Sequence, residues 1–525
     1  MTLAADELSP LERVQKIATQ FTMFKNPDKE TVLTPWRVVN MHMSDCLGGW
    51  CFYNEDFTDT LEEPRFVDQG DVTNDTLANV NANILEINSK TGLYPLYVTY
   101  SIFRKRLDGI PVEGRTLEKQ YELWIKTVEE NIFVICKTPM AKAITKRTLL
   151  GYRKGKVNAH AFDDLINQLK EKPQQFREKV LRGSTWGKKE SVMKFNAVVG
   201  NPPYQEAVNS TVNDKPLYHL FMNAGFGLSD KASFITPARF LFNAGATPTS
   251  WNEQILNDEH FKVVYYTSTS TDVFPHVDIK GGVAITLRDK NQNFGKIGTF
   301  CSFGELNSIR NKVWAVSTTS LTSIILNRGQ YRFSDKVYRE QPEEMEKTSD
   351  RRISTSAFER MPKLFTEAKP NDGNEYIQMY GNIGSSRVYR WFRKDYLAPI
   401  DNLYKYKVML PKANGSGAIG EVLSTPLIGY TETYISIGET DSKSEAEAIL
   451  KYVKTKFARV MLGILKVTQD NTKKVWTYVP IQDFTDKSDI DWSKSVAEID
   501  QQLYAKYNLD ETEKAFIESM IKPME

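Results

Sequence analysis

The residues best suited to chemistry form one short stretch, Val198-Val199-Gly200-Asn201-Pro202-Pro203-Tyr204. The Asn201 side-chain oxygen and the Pro202 carbonyl are two hydrogen-bond acceptors, and Tyr204 places a flat aromatic face beside them. An exocyclic amine is a poor nucleophile because its lone pair is delocalised into the ring. Two acceptors that hold its hydrogens can turn that lone pair toward an electrophile without a strong base. The stretch predicts group transfer to such an amine; the structural alternative is a strand that ends in a proline turn with a packed tyrosine.

A buried strand must position this stretch. The apolar run from Phe195 to Val199 predicts that strand. Two prolines cannot continue a ladder, and the residue before a proline is pushed out of the helical region, so the chain turns at Asn201 in an extended form. Open α/β sheets bind ligands at the carboxyl ends of their strands, which is where this turn is expected.

An Asn-Pro-Pro-Tyr stretch after an apolar strand resembles the catalytic motif of S-adenosylmethionine-dependent amino methyltransferases. Its placement resembles the gamma class of adenine-N6 DNA methyltransferases, the TaqI-like enzymes of restriction–modification systems. The resemblance implies that Asn201, Pro202, Pro203 and Tyr204 are catalytic and that the target adenine flips out of duplex DNA. In that class a phenylalanine in a Val-Phe-Pro segment forms the second wall around the base, and the matching residue is Phe274.

The same resemblance assigns residues to the cofactor. A Thr-Pro pair begins the helix that touches the methionine part of the cofactor, and an acidic residue before a glycine-bearing turn holds that part as well. A residue at the end of the next strand faces the ribose, and a later acidic residue faces the adenine. The positions that match are Thr34, Pro35, Glu86, Asn88, Gly92, Cys136 and Asp163.

Two positions, Lys90 and Cys136, depart from the family pattern, and a third is ambiguous. Lys90 stands where many members have a small residue, and Cys136 stands where an acidic residue accepts hydrogen bonds from the ribose. Asp163 and Asp164 either face the adenine or cap a helix. Pro35 also suits the first turn of a helix capped by Thr34, whatever the function.

Composition sets bounds on the class of protein. The chain has 525 residues, with 41% hydrophobic and 26% charged residues, as in soluble globular proteins of two or more domains. A net charge of +2 gives no overall counterion-release signal, so a DNA-binding surface needs its basic residues gathered on one face. The four cysteines fit no zinc pattern and indicate reduced thiols in the cytoplasm. No signal pattern opens the chain and no stretch reaches the roughly 18 apolar residues of a membrane span.

Element order predicts an α/β fold, a Rossmann-like methyltransferase domain followed by an α+β domain. We expect an N-terminal helical extension over 1–30, the methyltransferase domain over 31–300, and a target-recognition domain over 301–525 with a helical tail. In the tail, Ser444-x-x-Glu447 and Ser495-x-x-Glu498 are predicted capping boxes. Apolar residues between Ile449 and Ile464 predict one continuous helix face after the first box.

Three functional hypotheses remain open at this point. The first is the DNA adenine methyltransferase, with duplex DNA as partner and with a separate restriction endonuclease subunit left open. The second is an amino methyltransferase acting on protein or RNA. The third is a non-catalytic DNA-binding subunit with a decayed cofactor site, which Lys90 and Cys136 motivate. A fused nuclease is not indicated, because Glu367-Ala368-Lys369 supplies only part of a nuclease pattern.

Overall fold

The computed structural model describes residues 3–23, 32–162, 164–206, 215–275, 277–413, 422–466 and 469–524. The chain divides into two compact units, Met1–Phe300 and Cys301–Glu525. Within the described residues, no helix has both the length and the apolarity needed to cross a bilayer.

The first unit alternates strands and helices, as the element order predicts. Its strands are β1 (Gly49–Tyr53), β2 (Thr60–Val67), β3 (Ile84–Ser89), β4 (Ile132–Cys136), β5 (Asn158–Ala161), β6 (Ala197–Gly200), β7 (Gln205–Glu206), β8 (Lys215–Pro216), β9 (Lys231–Pro237), β10 (Phe261–Thr267) and β11 (Val283–Asp289). Its helices are α1 (Pro10–Phe21), α2 (Trp36–Leu47), α3 (Asp71–Asp75), α4 (Leu93–Asp108), α5 (Leu117–Asn131), α6 (Pro139–Leu150), α7 (Leu165–Glu171), α8 (Pro173–Leu181), α9 (Tyr218–Leu228) and α10 (Thr249–Leu256).

The central sheet sets the position of every other element in this unit. Among the described residues it has seven strands in the order β10-β11-β9-β6-β3-β4-β5. Strands β5, β4, β3, β6 and β9 are parallel to one another. Strand β11 is antiparallel to both of its neighbours, β9 and β10. The predicted α/β, Rossmann-like fold is confirmed, and the strand order reverses direction between β3 and β6.

The core explains why these strands form. β3, β4, β6 and β9 are buried along their whole length, as expected for parallel strands covered on both faces. Helix α4 packs against α2, α5 and α6, while α9 packs against β6 and β9. Helix α1 begins at a capping box formed by Ser9 and Glu12, and buried Arg13 ties it to the Arg147 and Leu149 carbonyls at the end of α6.

The second unit is a mixture of sheets and helices. Its strands are β12 (Ile325–Leu326), β13 (Tyr376–Ile383), β14 (Ser386–Arg393), β15 (Tyr406–Pro411), β16 (Val422–Ser424), β17 (Ile428–Tyr430) and β18 (Tyr434–Thr440). Its helices are α11 (Gly304–Val316), α12 (Asp335–Glu340), α13 (Pro342–Met345), α14 (Ala357–Arg360), α15 (Lys443–Lys454), α16 (Lys456–Gly463), α17 (Val496–Lys506) and α18 (Glu511–Met520). Strands pair in the orders β12-β18-β15-β16 and β14-β13-β17.

Two predictions for the tail need correction and one is confirmed. The box at Ser444 and Glu447 is wrong, because α15 is capped by Ser442, whose hydroxyl accepts from the Glu445 amide. The prediction of a single long helix is also wrong. The helix is interrupted at Thr455, whose hydroxyl caps the start of α16. The capping box at Ser495 and Glu498 is confirmed at the start of α17.

The last residue of β6 allows two strands to approach closely. A Cβ atom on Gly200 would stand 2.4 Å from the Ile87 carbonyl oxygen of β3, far inside van der Waals contact. Because the obstacle is backbone, it cannot swing aside as a flexible side chain does. Glycine at this position therefore lets the turn that follows β6 lie against the end of β3.

We expect Gly200→Ala to lower the unfolding free energy of the first unit by about 1–3 kcal/mol, because overpacking against backbone forces a strand shift. Gly227→Ala is the matched control, since a Cβ there meets only the Arg177 side chain at an ordinary 3.6 Å. Calorimetric unfolding measures both variants. Equal melting temperatures for Gly200→Ala and the wild-type protein would contradict the close approach.

Candidate active site

The Asn201 turn lies at the edge of the sheet where the strand order reverses. β3 and β6 are parallel neighbours, with Glu86 opposite Val199 in their register. The residues that follow the two strands therefore stand side by side. In open α/β sheets this reversal opens a crevice in which ligands bind.

The Asn201 side chain is fixed from one side only. Its Nδ2 donates to the Thr34 hydroxyl at 3.0 Å and to the Val32 carbonyl at 3.3 Å. Its Oδ1 is buried and has no hydrogen-bond partner among the described residues. Buried acceptors are nearly always satisfied, so an open one marks a place for an incoming donor. The amide thus presents an acceptor, as the sequence predicted for a residue that holds an amine.

The backbone of the turn is also held in place. The Asn201 carbonyl accepts from Asn88 Nδ2 at 2.9 Å and from Lys90 Nζ at 3.3 Å. Lys90 Nζ also donates to the Val32 carbonyl at 2.8 Å. Asn88 has a φ of 70°, a left-handed conformation that asparagine tolerates better than most residues. Lys90, a departure from the family pattern, therefore joins the segment before α2 to the Asn201 turn.

Glu86 is a second open acceptor beside this turn. The residue is 5% exposed, and its Oε2 lacks a hydrogen-bond partner within the described ranges. Burial raises the pKa of Glu86 to about 8, against smaller opposing effects of Ser89 and Lys90. The carboxyl is therefore largely protonated near neutral pH, and a cationic ligand would favour its ionised form.

The predicted helix cap at Thr34 is wrong. Helix α2 begins at Trp36, and Pro35 occupies the capping position without a side-chain hydrogen bond. The Thr34 hydroxyl instead accepts from Asn201 Nδ2. Thr34 is therefore used to hold the Asn201 side chain rather than to cap the start of α2.

Tyr204 and Phe274 lie in direct contact. Their ring centroids are 6.1 Å apart, and the rings meet edge to face at 67°. Phe274 is buried, as are Pro202 and Pro203, whereas the Tyr204 ring is partly exposed. A flat base enters between two such rings only if one of them rotates, because a stacked base needs faces on both sides. The two predicted walls are adjacent, but the slot between them is closed.

The Tyr204 hydroxyl points inward toward Asn201. Burial raises the pKa of Tyr204 well above its ordinary value, and the Asn201 side chain opposes that rise. Neither the Tyr204 hydroxyl nor Asn201 Oδ1 has a hydrogen bond of normal geometry with any described residue. Both oxygens are buried and remain available to a ligand.

The remaining cofactor residues contribute less to this cluster. Gly92 has a φ of 78°, and a Cβ there would stand 3.0 Å from Thr145 Cα, so the glycine lets α4 and α6 pack closely. Cys136 is fully buried, and burial raises the pKa of its thiol to about 12. Asp163 lies outside the described residues. Asp164 precedes α7 without a side-chain cap, so its predicted capping role is wrong.

Tyr94 was not selected from the sequence, yet its hydroxyl reaches this site. Its pKa is raised well above the ordinary value by burial, and Glu86, Tyr204 and Thr34 are among the groups that act on it. Its oxygen also lies 2.7 Å from His42 Nδ1. The only available signal was its place immediately after the Gly92 turn, at the start of α4.

Residues 130–274 match the profile of the Eco57I restriction-modification methylase family. The match runs from β4 to Phe274 and includes the Asn201 turn. A Mycoplasma pneumoniae protein described as an uncharacterized adenine-specific methylase is 29% identical over 105 residues, which are 19% of this chain and 25% of that protein. In sequence, the centre of this chain is therefore similar to restriction–modification methylases.

Two solved structures of restriction-modification enzymes are similar to this chain at low TM-scores. The ATP-dependent Type ISP restriction-modification enzyme LlaBIII, bound to DNA, has a TM-score of 0.41 at 11% identity over 94% of this chain and 40% of that chain. The Type IIL restriction-modification enzyme MmeI, in complex with DNA, has a TM-score of 0.40 at 9% identity over 84% and 68%. The chain thus spans a quarter of the length of the curated relative and less than half of LlaBIII. The fold assignment itself is based on the order of the strands in the central sheet.

The raised pKa of Glu86 predicts a pH-dependent stability. Its carboxyl keeps a proton in the folded state up to about pH 8 but loses it in the unfolded state near 4.5. Stability from this group is complete below pH 4.5 and declines as the pH rises toward 8. We expect the wild-type protein to lose unfolding free energy relative to Glu86→Gln across that window, measured by denaturant unfolding at several pH values. Parallel curves for the two proteins would contradict the raised pKa.

Proposed function

We propose that this chain is an S-adenosylmethionine-dependent DNA methyltransferase that methylates N6 of a flipped-out adenine in duplex DNA, within a restriction–modification system. The observation that carries the proposal is the Asn201 amide, whose nitrogen is held by Thr34 and Val32 while its buried oxygen is open. The site suits an amine on an aromatic ring, because Tyr204, three residues after Asn201, is in ring contact with Phe274. We assign it to the TaqI-like gamma class.

The residues present fit the methionine part of the cofactor. Glu86 Oε2 is a buried carboxylate oxygen with no partner among the described residues, which suits the cofactor's ammonium group. We propose that Thr34, Pro35 and Asn88 line the same end. Cys136 does not fit the ribose, since a buried thiol is a weak acceptor. When bound, S-adenosylmethionine supplies a methyl group on a positively charged sulfur.

The chain's own groups would act by positioning. Asn201 Oδ1 and the Pro202 carbonyl accept the two N6 hydrogens and direct the N6 lone pair out of the ring plane. S-adenosylmethionine held by Thr34, Pro35, Glu86 and Asn88 would supply the methyl group that N6 accepts, and N6 would then lose one proton to water. Tyr204 and Phe274 hold the base on its two faces after the edge-to-face contact opens. No strong base is required, so the rate depends on orientation and electrostatics.

Two findings support the DNA substrate. The profile match to restriction–modification methylases contains Asn201–Tyr204 and reaches Phe274. The curated relative is described as an adenine-specific methylase. We assign target recognition to residues 301–525, where Arg387 and Tyr389 are exposed on the same face of the β13–β14 pair. We propose a separate restriction endonuclease subunit as a partner in cleavage.

We expect Asn201→Ala to abolish methylation while S-adenosylmethionine still binds, because the amine acceptor is lost whereas Glu86 and Asn88, which we assign to the cofactor, remain. Asn196→Ala is the control, since Asn196 precedes the same strand and bonds to Asn83 and Asp75 instead. Long-read detection of N6-methyladenine in a methylation-free host measures transfer, and calorimetry measures cofactor binding. Modification by Asn201→Ala at the wild-type rate would refute the assignment. Methylation of protein or RNA alone would move the chain to another amino methyltransferase class.

Substitution of Tyr204 tests the aromatic wall. Base–aromatic stacking contributes about 1–3 kcal/mol, so Tyr204→Ala should lower kcat/KM by roughly tenfold to a hundredfold. Tyr204→Phe keeps the ring and should stay within about threefold of wild type. Fluorescence of 2-aminopurine at the target position reports base flipping in each variant. A Tyr204→Ala protein that flips and methylates normally would exclude stacking on this ring.

A further inference from the structure

Lys90 connects two backbone carbonyls that are 169 residues apart in the chain. Its ammonium group donates to the Val32 carbonyl at 2.8 Å and to the Asn201 carbonyl at 3.3 Å. The Val32 carbonyl accepts a second hydrogen bond, from Asn201 Nδ2 at 3.3 Å. Lys90, Val32 and Asn201 therefore form a closed ring of hydrogen bonds, which we call the carbonyl bridge. The bridge holds Asn201 by its side chain and by its backbone.

One end of the carbonyl bridge fixes the peptide group that joins Asn201 to Pro202. The Asn201 carbonyl accepts from Lys90 Nζ and from Asn88 Nδ2. A peptide group is planar, so two donors on its oxygen set the orientation of the whole group. Asn88 ties this oxygen to β3, whereas Lys90 also ties it to the Val32 carbonyl.

The two prolines pass this orientation on to the Pro202 carbonyl. The ring of Pro202 locks its φ, and Pro203 restricts Pro202 to extended conformations. The direction of the Pro202 carbonyl therefore follows from the plane of the preceding peptide with little remaining freedom. That carbonyl is the second amine acceptor of the proposed site, so it moves with the Asn201 carbonyl that Lys90 holds.

The other end of the carbonyl bridge fixes the first amine acceptor. Asn201 Nδ2 donates to the Val32 carbonyl, and the buried Oδ1 lies on the opposite arm of the same planar amide. A shift of the Val32 carbonyl therefore shifts Oδ1. Each of the two carbonyls that Lys90 joins thus controls one acceptor, and the ammonium group determines how far apart these carbonyls lie.

We propose that Lys90 is a positioning residue that sets the relative geometry of the two amine acceptors, Asn201 Oδ1 and the Pro202 carbonyl. The inference rests on the proposed function, because the spacing of the acceptors matters only if one amine is held by both. Lys90 acts through the two carbonyls and does not touch the amine. A small residue at this position, as in the family pattern, has no side chain long enough to make the bridge.

Two variants and one control test this role in catalysis. Lys90→Met keeps most of the stem but removes the donors, and misplaced acceptors should lower kcat by about tenfold to a hundredfold. Lys90→Arg restores charged donors and should be at least about threefold faster than Lys90→Met. Lys156→Met is the matched control and should keep wild-type kcat. Lys156 Nζ also joins two carbonyls, of Trp186 at 2.7 Å and Gly187 at 3.3 Å, in the turn after α8.

The kinetic constants separate positioning from cofactor binding and from general damage. In Lys90→Met, KM for DNA and the Kd for S-adenosylmethionine should stay within about threefold, because the lost interaction acts on the amine acceptors. A wild-type kcat with a weakened cofactor Kd would overturn the proposal and move Lys90 to the cofactor site. Equal losses of kcat in Lys90→Met and Lys156→Met would also overturn it. If Lys90→Met fails to fold, Lys90→Gln, a shorter uncharged donor, should show a loss of at least about tenfold.

A crystallographic comparison tests the carbonyl bridge without methyl transfer. We expect the Pro202 carbonyl to be displaced relative to Asn201 Oδ1 in crystals of Lys90→Met, compared with wild-type protein in the same crystal form. Unchanged positions of the two acceptors would overturn the proposal. Wild-type protein that methylates no DNA would refute the proposed function instead, while the two crystal structures would still decide whether Lys90 sets the geometry.

Discussion

The site depends on the hydrogen bonding of the Asn201 side-chain amide, whose nitrogen is paired and whose oxygen is open. A carboxamide has two hydrogens to give and one oxygen to accept with, and here the hydrogens go to Thr34 and Val32. The oxygen therefore has no hydrogen-bond partner among the described residues, yet its position is fixed. Rotating the amide would break both hydrogen bonds of the nitrogen in a buried place. The segment before α2, the turn after β3 and the turn after β6 must all meet for this to happen. The reversal of strand order between β3 and β6 is what brings the two turns together.

Much of this arrangement could be predicted from the sequence because local signals agreed with the tertiary structure. The apolar run before Asn-Pro-Pro identified β6 and its end. The same reasoning failed where long-range contacts compete with local ones. Thr34 had the right residue type for a cap, but a buried amide from a distant strand took its hydroxyl. Ser444 had the right spacing, but Ser442 formed the cap.

Other parts had no local signal at all. Lys90 looked like a defect in a glycine-rich turn, since nothing in its neighbourhood shows that two carbonyls, of Val32 and Asn201, converge on its ammonium. His42 and Ser233 lie 191 residues apart and meet only because α2 packs beside β9. Periodicity predicts which face of a helix is buried, but it does not predict which polar groups on different elements will be paired there.

Under the proposed function, the contact between Tyr204 and Phe274 has a consequence for the energetics of base capture. The edge of one ring already packs against the face of the other, so an arriving base must displace that contact. Capture becomes an exchange, in which one edge-to-face contact is given up and two stacking contacts replace it. The free energy of this exchange is favourable for a planar ring. It is unfavourable for a sugar, a phosphate or an aliphatic side chain, because none of these forms stacking contacts that replace the lost ring contact. The closed pair of rings thus rejects non-planar ligands before the Asn201 oxygen is ever reached.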